Sequence, residues 1–148
     1  MIKQVLKMSS ILSLVVALAV TAVSANPTNT VKANIPFDFS VGGTTLPAGV
    51  YTVTPMSMPN TLRIRRDDNH GGVLIQTNGL QTRRGQDRTK LVFHRYGDQH
   101  FLAQVWTAED GTMCEFRKSR AERELMKSRA KFLAKSVAEP DVVSVFVQ

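Results

Sequence analysis

Between Val31 and Val41 the chain alternates. Ile35, Phe37, Phe39 and Val41 fall on one side; Pro36, Asp38 and Ser40 fall on the other. A period of two marks a half-buried strand, and Pro36, with no N–H to give, puts it at a sheet edge or at its own start. Gly42-Gly43 and Leu46-Pro47-Ala48-Gly49 read as turns, followed by a strand over Val50–Thr54 and a loop from Pro55 to Asn60. In Thr61–Arg66, Leu62 and Ile64 share one face while Arg63 and Arg65 share the other. The cluster Asp67-Asp68-Asn69-His70-Gly71-Gly72 turns the chain into a returning strand over Val73–Thr77. Gly79 to Arg88 reads as a polar loop with a basic tip at Arg83-Arg84-Gly85.

Lys90–Tyr96 and His100–Thr107 flank Gly97-Asp98, a strong hairpin signal. With Gly97 and Asp98 as the loop, one face holds Val92, His94, Tyr96, Phe101, Ala103 and Val105. The other holds Leu91, Phe93, Arg95, His100, Leu102, Gln104 and Trp106. Both are largely apolar, so the hairpin is predicted to be central and covered on both sides. After the turn Glu109-Asp110-Gly111 comes a short strand over Thr112–Phe116. A helix follows from about Arg120 to Val137, opened by a capping box of Ser119 and Glu122. Its apolar side (Ala121, Leu125 and Phe132, with Met126, Leu133 and Val137 beside them) is expected on the sheet. Arg120, Arg123, Lys127, Lys131 and Lys135 form the opposite face. Pro140 ends the helix, and Val142–Val147 reads as a final strand.

The first 25 residues have a different pattern. Lys3 and Lys7 precede an apolar run from Ile11 to Val20, then small residues at Val23-Ser24-Ala25, then Asn26-Pro27. This is the layout of a cleaved signal peptide at 1–25, with cleavage expected after Ala25. The apolar run is roughly half of the about 20 residues that a membrane span needs, so no transmembrane span is expected in the mature form. Removing 25 of 148 residues leaves 123, which suits one domain, 26–148. The chain is then placed in the periplasm or outside the cell.

Composition sharpens this picture. The whole chain carries a formal charge of +7, and loss of the two leader lysines leaves 17 basic against 12 acidic residues. The basic residues gather in two regions, between Leu62 and Tyr96 and between Arg117 and Lys135. Such a surface favours anionic surroundings. Cys114 is the single cysteine. An internal disulfide is therefore excluded, and burial or a bond between chains are the two fates left to it.

The pieces Ile35-Pro36-Phe37-Asp38-Phe39-Ser40-Val41-Gly42 and Leu46-Pro47-Ala48-Gly49-Val50-Tyr51-Thr52-Val53 carry a resemblance. So do Leu91-Val92-Phe93-His94-Arg95-Tyr96-Gly97-Asp98, Phe101-Leu102-Ala103-Gln104-Val105-Trp106 and Lys118-Ser119-Arg120-Ala121-Glu122-Arg123-Glu124. Together they span most of the mature chain. They resemble a group of uncharacterised small exported bacterial proteins. The resemblance implies an exported β-rich domain and brings no activity and no site residues.

The residues point away from catalysis. His94 and His100 face opposite sides of the hairpin and His70 sits in a distant turn, so no metal site is expected. His94 near Tyr96 reads as a packed, hydrogen-bonded strand histidine. Cys114 has no spacing that ties it to His94 or His100 as a nucleophile, and a Gly-x-Ser-x-Gly elbow is lacking. The acid pairs Asp67/Asp68 and Glu109/Asp110 stand beside glycine in turns, where acids serve the backbone. Gly42-Gly43 and Gly71-Gly72 do not continue into a phosphate loop. Phe93, Phe101 and Trp106 read as core rather than as a stacking platform, so no specific nucleic acid is expected.

The expectation is one mainly antiparallel β-domain, a sandwich or small barrel of about seven or eight strands, with one C-terminal helix on it. It is read as a non-catalytic binding or structural protein of the cell envelope, without cofactors, and its oligomeric state stays open. Arg63, Arg65, Arg83, Arg84 and Arg88 are the expected contacts to an anionic envelope polymer or another envelope protein. The alternatives are a small-ligand carrier with a lipocalin-like interior and an unrecognised hydrolase.

Overall fold

A computed structural model describes residues 30–82, 88–108, 111–132 and 140–147. The expected signal peptide, the Arg83-Arg84-Gly85 tip and the expected helix beyond Phe132 lie outside them. Among the described residues run β1 (Val31–Ile35), β2 (Phe39–Val41), β3 (Thr44–Leu46), β4 (Gly49–Pro55) and β5 (Thr61–Arg66). Then come β6 (Gly72–Thr82), β7 (Lys90–Tyr96), β8 (Gln99–Trp106), β9 (Thr112–Phe116), α1 (Arg120–Phe132) and β10 (Asp141–Phe146). The chain is mainly β with one C-terminal helix, as its pattern predicts.

The strands form two sheets that share β6. Sheet A runs β1-β4-β5-β6, all antiparallel. Past an irregularity between Thr77 and Leu80, β6 pairs with β9 and enters sheet B. Gly79 sits there at φ +105°, a backbone region that glycine occupies without a Cβ penalty. In sheet B, β8 has β7 along one edge. Its other edge takes β9 near its C-terminal end and β2, in parallel, at Ser40↔Phe101. β10 adds to the free edge of β7. The result is an open, mixed, sandwich-like sheet.

Ten strands stand among the described residues where about seven or eight were expected, β3 being one that the pattern did not show. Three further details differ from the pattern reading. The alternating run Val31–Val41 is two strands, not one: β1 belongs to sheet A and β2 to sheet B. Pro36 interrupts the ladder, and the chain crosses between sheets over Pro36-Phe37-Asp38. Asp38 secures the crossing, its Oδ1 accepting from the Ala48 N–H at 2.8 Å. Second, β6 runs on to Thr82, so residues 79–82 are strand where a loop was expected. Third, β8 carries a bulge. Phe93 pairs with Leu102 but Val92 pairs with Gln104, leaving Ala103 as the extra residue. A bulge shifts side-chain alternation by one position. Val105 therefore joins Leu91 and Phe93 in the core, and Trp106 joins Val92 on the outer face, each opposite to the simple register.

The core lies between the sheets. Tyr51, Phe39, Phe93, Ile35, Ile64 and Leu91 are its largest fully buried side chains. Each contributes about 1.5–3 kcal/mol by burial. Phe39 meets Tyr51 and Phe93 edge-on at 5.1 and 5.5 Å between ring centroids. The Tyr51 hydroxyl donates to the Pro47 carbonyl at 2.7 Å, and burial raises its pKa. Much of the Ile35–Val53 pattern is thereby explained as packing and turn closure. Cys114 is buried.

Candidate anion-binding face and the helix anchor

The outward face of sheet A follows from strand alternation. Leu62 and Ile64 point into the core, so Arg63 and Arg65 point out. Register places Thr54 and Leu74 beside Arg63, and Thr52 and Gly72 beside Arg65. Lys32 lies across from Thr52 on β1. Of the residues that pair within this sheet, none is acidic. The nearest carboxylates stand in the β5–β6 turn and are engaged there: Asp67 holds Lys32 at 2.8 Å and Asp68 holds Arg66 at 3.0 Å. Among the described residues, Arg63 and Arg65 have no carboxylate partner. They border a shallow cleft of about 330 Å³ with Asn69, Gly71, Gly72, Val73 and Leu74. Gly72 is needed at its floor, because a Cβ there would stand 2.9 Å from the Ile64 carbonyl oxygen.

The other expected contacts are not all gathered there. Arg88 is exposed just before β7 in sheet B, its guanidinium 5.9 Å from the Phe146 ring centroid. Arg83 and Arg84 lie outside the described residues. The structure therefore brings together Arg63 and Arg65 and leaves Arg88 apart from them, before a strand of the other sheet.

The outward face of sheet B is covered. Val92, Tyr96, Phe101, Trp106 and Met113 are buried on it. α1 lies against Tyr96, with the Arg129 guanidinium 5.9 Å from that ring's centroid. The helix begins as predicted, the Ser119 Oγ accepting from the Glu122 N–H at 3.1 Å. Its docking differs from the prediction. Ala121 is exposed, Phe132 is 89% exposed, and Leu125 and Met126 are half-buried. The one fully buried helix side chain among the described residues is Glu122. Its Oε1 lies 3.0 Å from His94 Nδ1 and accepts from the Tyr96 hydroxyl at 3.2 Å. Burial, with the Glu122 charge beside it, strongly raises the Tyr96 pKa and holds the phenol as a donor. Glu122 was visible in the sequence as a capping residue. The signal for its second role was an acid on the helix stripe that also carries Met126 and Arg129, a stripe that apolar periodicity alone does not select.

A histidine oriented by a carboxylate is part of hydrolytic triads. Here the pair borders a cleft of about 300 Å³ that also includes Asn78, Glu115, Arg117 and Lys118. Among the described residues, no serine, threonine or cysteine lines that cleft. The pair's evident effect is to fix the helix. Among the described residues, no three His, Cys, Asp or Glu side chains converge as a metal site. His100 lies on the opposite side of β7–β8 from His94. It stacks on Phe37 at 4.0 Å, its Nδ1 meeting no hydrogen-bond partner among the described residues. Burial, then the nearby Arg95, lowers its pKa.

No helix among the described residues is long and apolar enough to cross a membrane. Comparison with family models, with curated proteins and with solved structures gives no match.

Proposed function

We propose that the chain is an exported, non-catalytic binding or structural protein of the cell envelope, whose outward face on sheet A meets an anionic envelope polymer. The observation that carries this reading is the charge arrangement on β5. Arg63 and Arg65 project from a sheet face without acids, among neutral Thr52, Thr54 and Gln76, while the neighbouring carboxylates hold other cations. Unpaired arginines present planar forks suited to sulfate, phosphate or carboxylate groups. The exposed helix residues Arg123, Lys127 and Lys131 add positive field on the other side of the molecule. Export rests on the 1–25 pattern, and the resemblance to small exported β-rich proteins belongs to the same proposal.

The experiment is retention of the mature chain on beads bearing a sulfated polysaccharide and on beads of the same polymer without sulfate. Retention on the charged beads alone is expected, fading as ionic strength rises from about 0.05 to about 0.5 M and the screening length shrinks. Equal retention on both polymers, or retention indifferent to salt, contradicts the reading.

A further inference from the structure

A third opening lies at the end of the sandwich where β4 passes to β5. Its volume is about 260 Å³. The walls are Val31, Val53, Leu62 and Val105, drawn from both sheets, with Cys114 among them. Met56 and Met58 line its loop side, and Met58 is 52% exposed. None of the described residues lining it is charged, in a chain where 21% of residues are.

Three hydroxyls of the lining are turned to the protein's own backbone. The Thr61 hydroxyl donates to the Pro59 carbonyl at 3.1 Å, the Thr77 hydroxyl to Asn60 at 3.3 Å and the Thr107 hydroxyl to Thr112 at 3.2 Å. These hydroxyl protons are already engaged, so the opening offers an occupant mainly apolar wall. Ligand sites are commonly concavities of this kind. Methionine, unbranched and polarisable, suits a lip that adapts to what it covers.

We infer that this end pocket binds a small, neutral, apolar organic molecule. Size supports the assignment: an apolar cavity of about 150 Å³ takes benzene, so the larger pocket here suits roughly ten non-hydrogen atoms. Charge supports it as well, because a charged ligand would be desolvated against walls whose described residues hold no counter-charge. The pocket is separate from the arginine face and does not depend on the polymer-binding proposal.

The test uses the mature chain labelled with ¹³C at its methionine methyls. Met56 and Met58 report on the pocket, while Met113 on the outer face of sheet B and Met126 on α1 serve as internal references. Naphthalene is titrated in, with 1-naphthalenesulfonate as the charged ring of the same shape. A saturable shift of Met56 and Met58 by naphthalene is expected, at high salt as at low, with Met113 and Met126 still. The sulfonate should bind at these methyls more weakly by roughly tenfold or more, since it brings a charge into a wall without one. Thr112→Trp, which fills the opening with an indole, should remove the naphthalene shift. If that variant does not unfold cooperatively, Met56→Ala/Met58→Ala, read through slowed alkylation of Cys114 by N-ethylmaleimide, should show weakened protection by naphthalene. No saturable shift, equal movement of all four methyls, or a preference for the sulfonate overturns the inference. Met56 and Met58 shifts that track protein concentration instead would put a second copy of the chain on the pocket and overturn it as well.

Discussion

The strands of sheets A and B share one core, and their outward faces have opposite fates. On sheet A the outward residues include Lys32, Thr52, Thr54, Arg63, Arg65, Leu74 and Gln76, and they meet solvent or half-meet it. On sheet B the outward residues include Val92, Tyr96, Phe101, Trp106 and Met113, and they are buried. Cover is what separates the two. Sheet B has a helix across it, and that helix is tied down through a glutamate. Sheet A presents two arginines that pair with no carboxylate among the described residues, the acids of the adjoining turn holding Lys32 and Arg66. A sheet face that is polar, cationic and uncovered is available to a partner; a face that is apolar and covered is part of the fold.

Truncation at paired positions probes this contrast most strongly. Trp106→Ala on the covered face should cost about 3–5 kcal/mol, as for other buried aromatic truncations. Leu74→Ala on the open face, at a side chain that is 57% exposed, should change stability by less than about 0.5 kcal/mol. Urea unfolding of the two variants measures both. Similar costs at the two positions would mean that sheet A is also covered in the folded protein.

The helix anchor comes next. Glu122→Ala removes the acceptor for His94 and Tyr96 and leaves their polar atoms without it, at a cost of about 2–3 kcal/mol. Phe132→Ala, at the other end of α1, should cost less than about 0.5 kcal/mol, because that ring is almost wholly in water. If Phe132→Ala proves the more costly, the helix docks through its apolar stripe and the account of the anchor is wrong.

A smaller effect is a pH dependence from His100. Its folded-state pKa lies below the ordinary value of 6.5 because burial, then Arg95, disfavours the charged ring. The unfolded chain therefore takes up the proton first. Stability is complete above about pH 6.5, falls as pH drops through that value, and levels off below the folded-state pKa. His100→Gln should flatten this part of the profile. The comparison is the difference between the two stability curves from pH 8 to pH 5, and superimposable curves would contradict it.

The sequence made strand positions legible where a single period ran between turn residues. Thr61–Arg66, Lys90–Tyr96 and Thr112–Phe116 are found at the expected bounds. It made Arg63 and Arg65 legible as a pair because alternation alone puts them outside once Leu62 and Ile64 are inside. What it did not reveal depended on long-range geometry. The Ala103 bulge leaves no period of its own, yet it exchanges the faces of Val105 and Trp106. The break at Pro36 separates two sheets although the alternation runs through it, because both sheets have the same core side. Glu122 meets His94 and Tyr96 across 28 and 26 positions of chain, and local capping chemistry was already a sufficient reason for an acid at that position.

The measurement that bears most directly on the open face is the affinity of the mature chain for a sulfated polysaccharide at fixed low salt, with Arg63→Ala/Arg65→Ala set against Arg123→Ala/Lys127→Ala. Each double variant removes two exposed cations, one pair from sheet A and one from the helix, so the change in net charge is the same. The account predicts that the sheet A variant loses most of the binding while its unfolding curve stays with the parent, and that the helix variant loses much less. Equal losses in the two variants would show that net charge alone draws the polymer, and would contradict a binding face on sheet A.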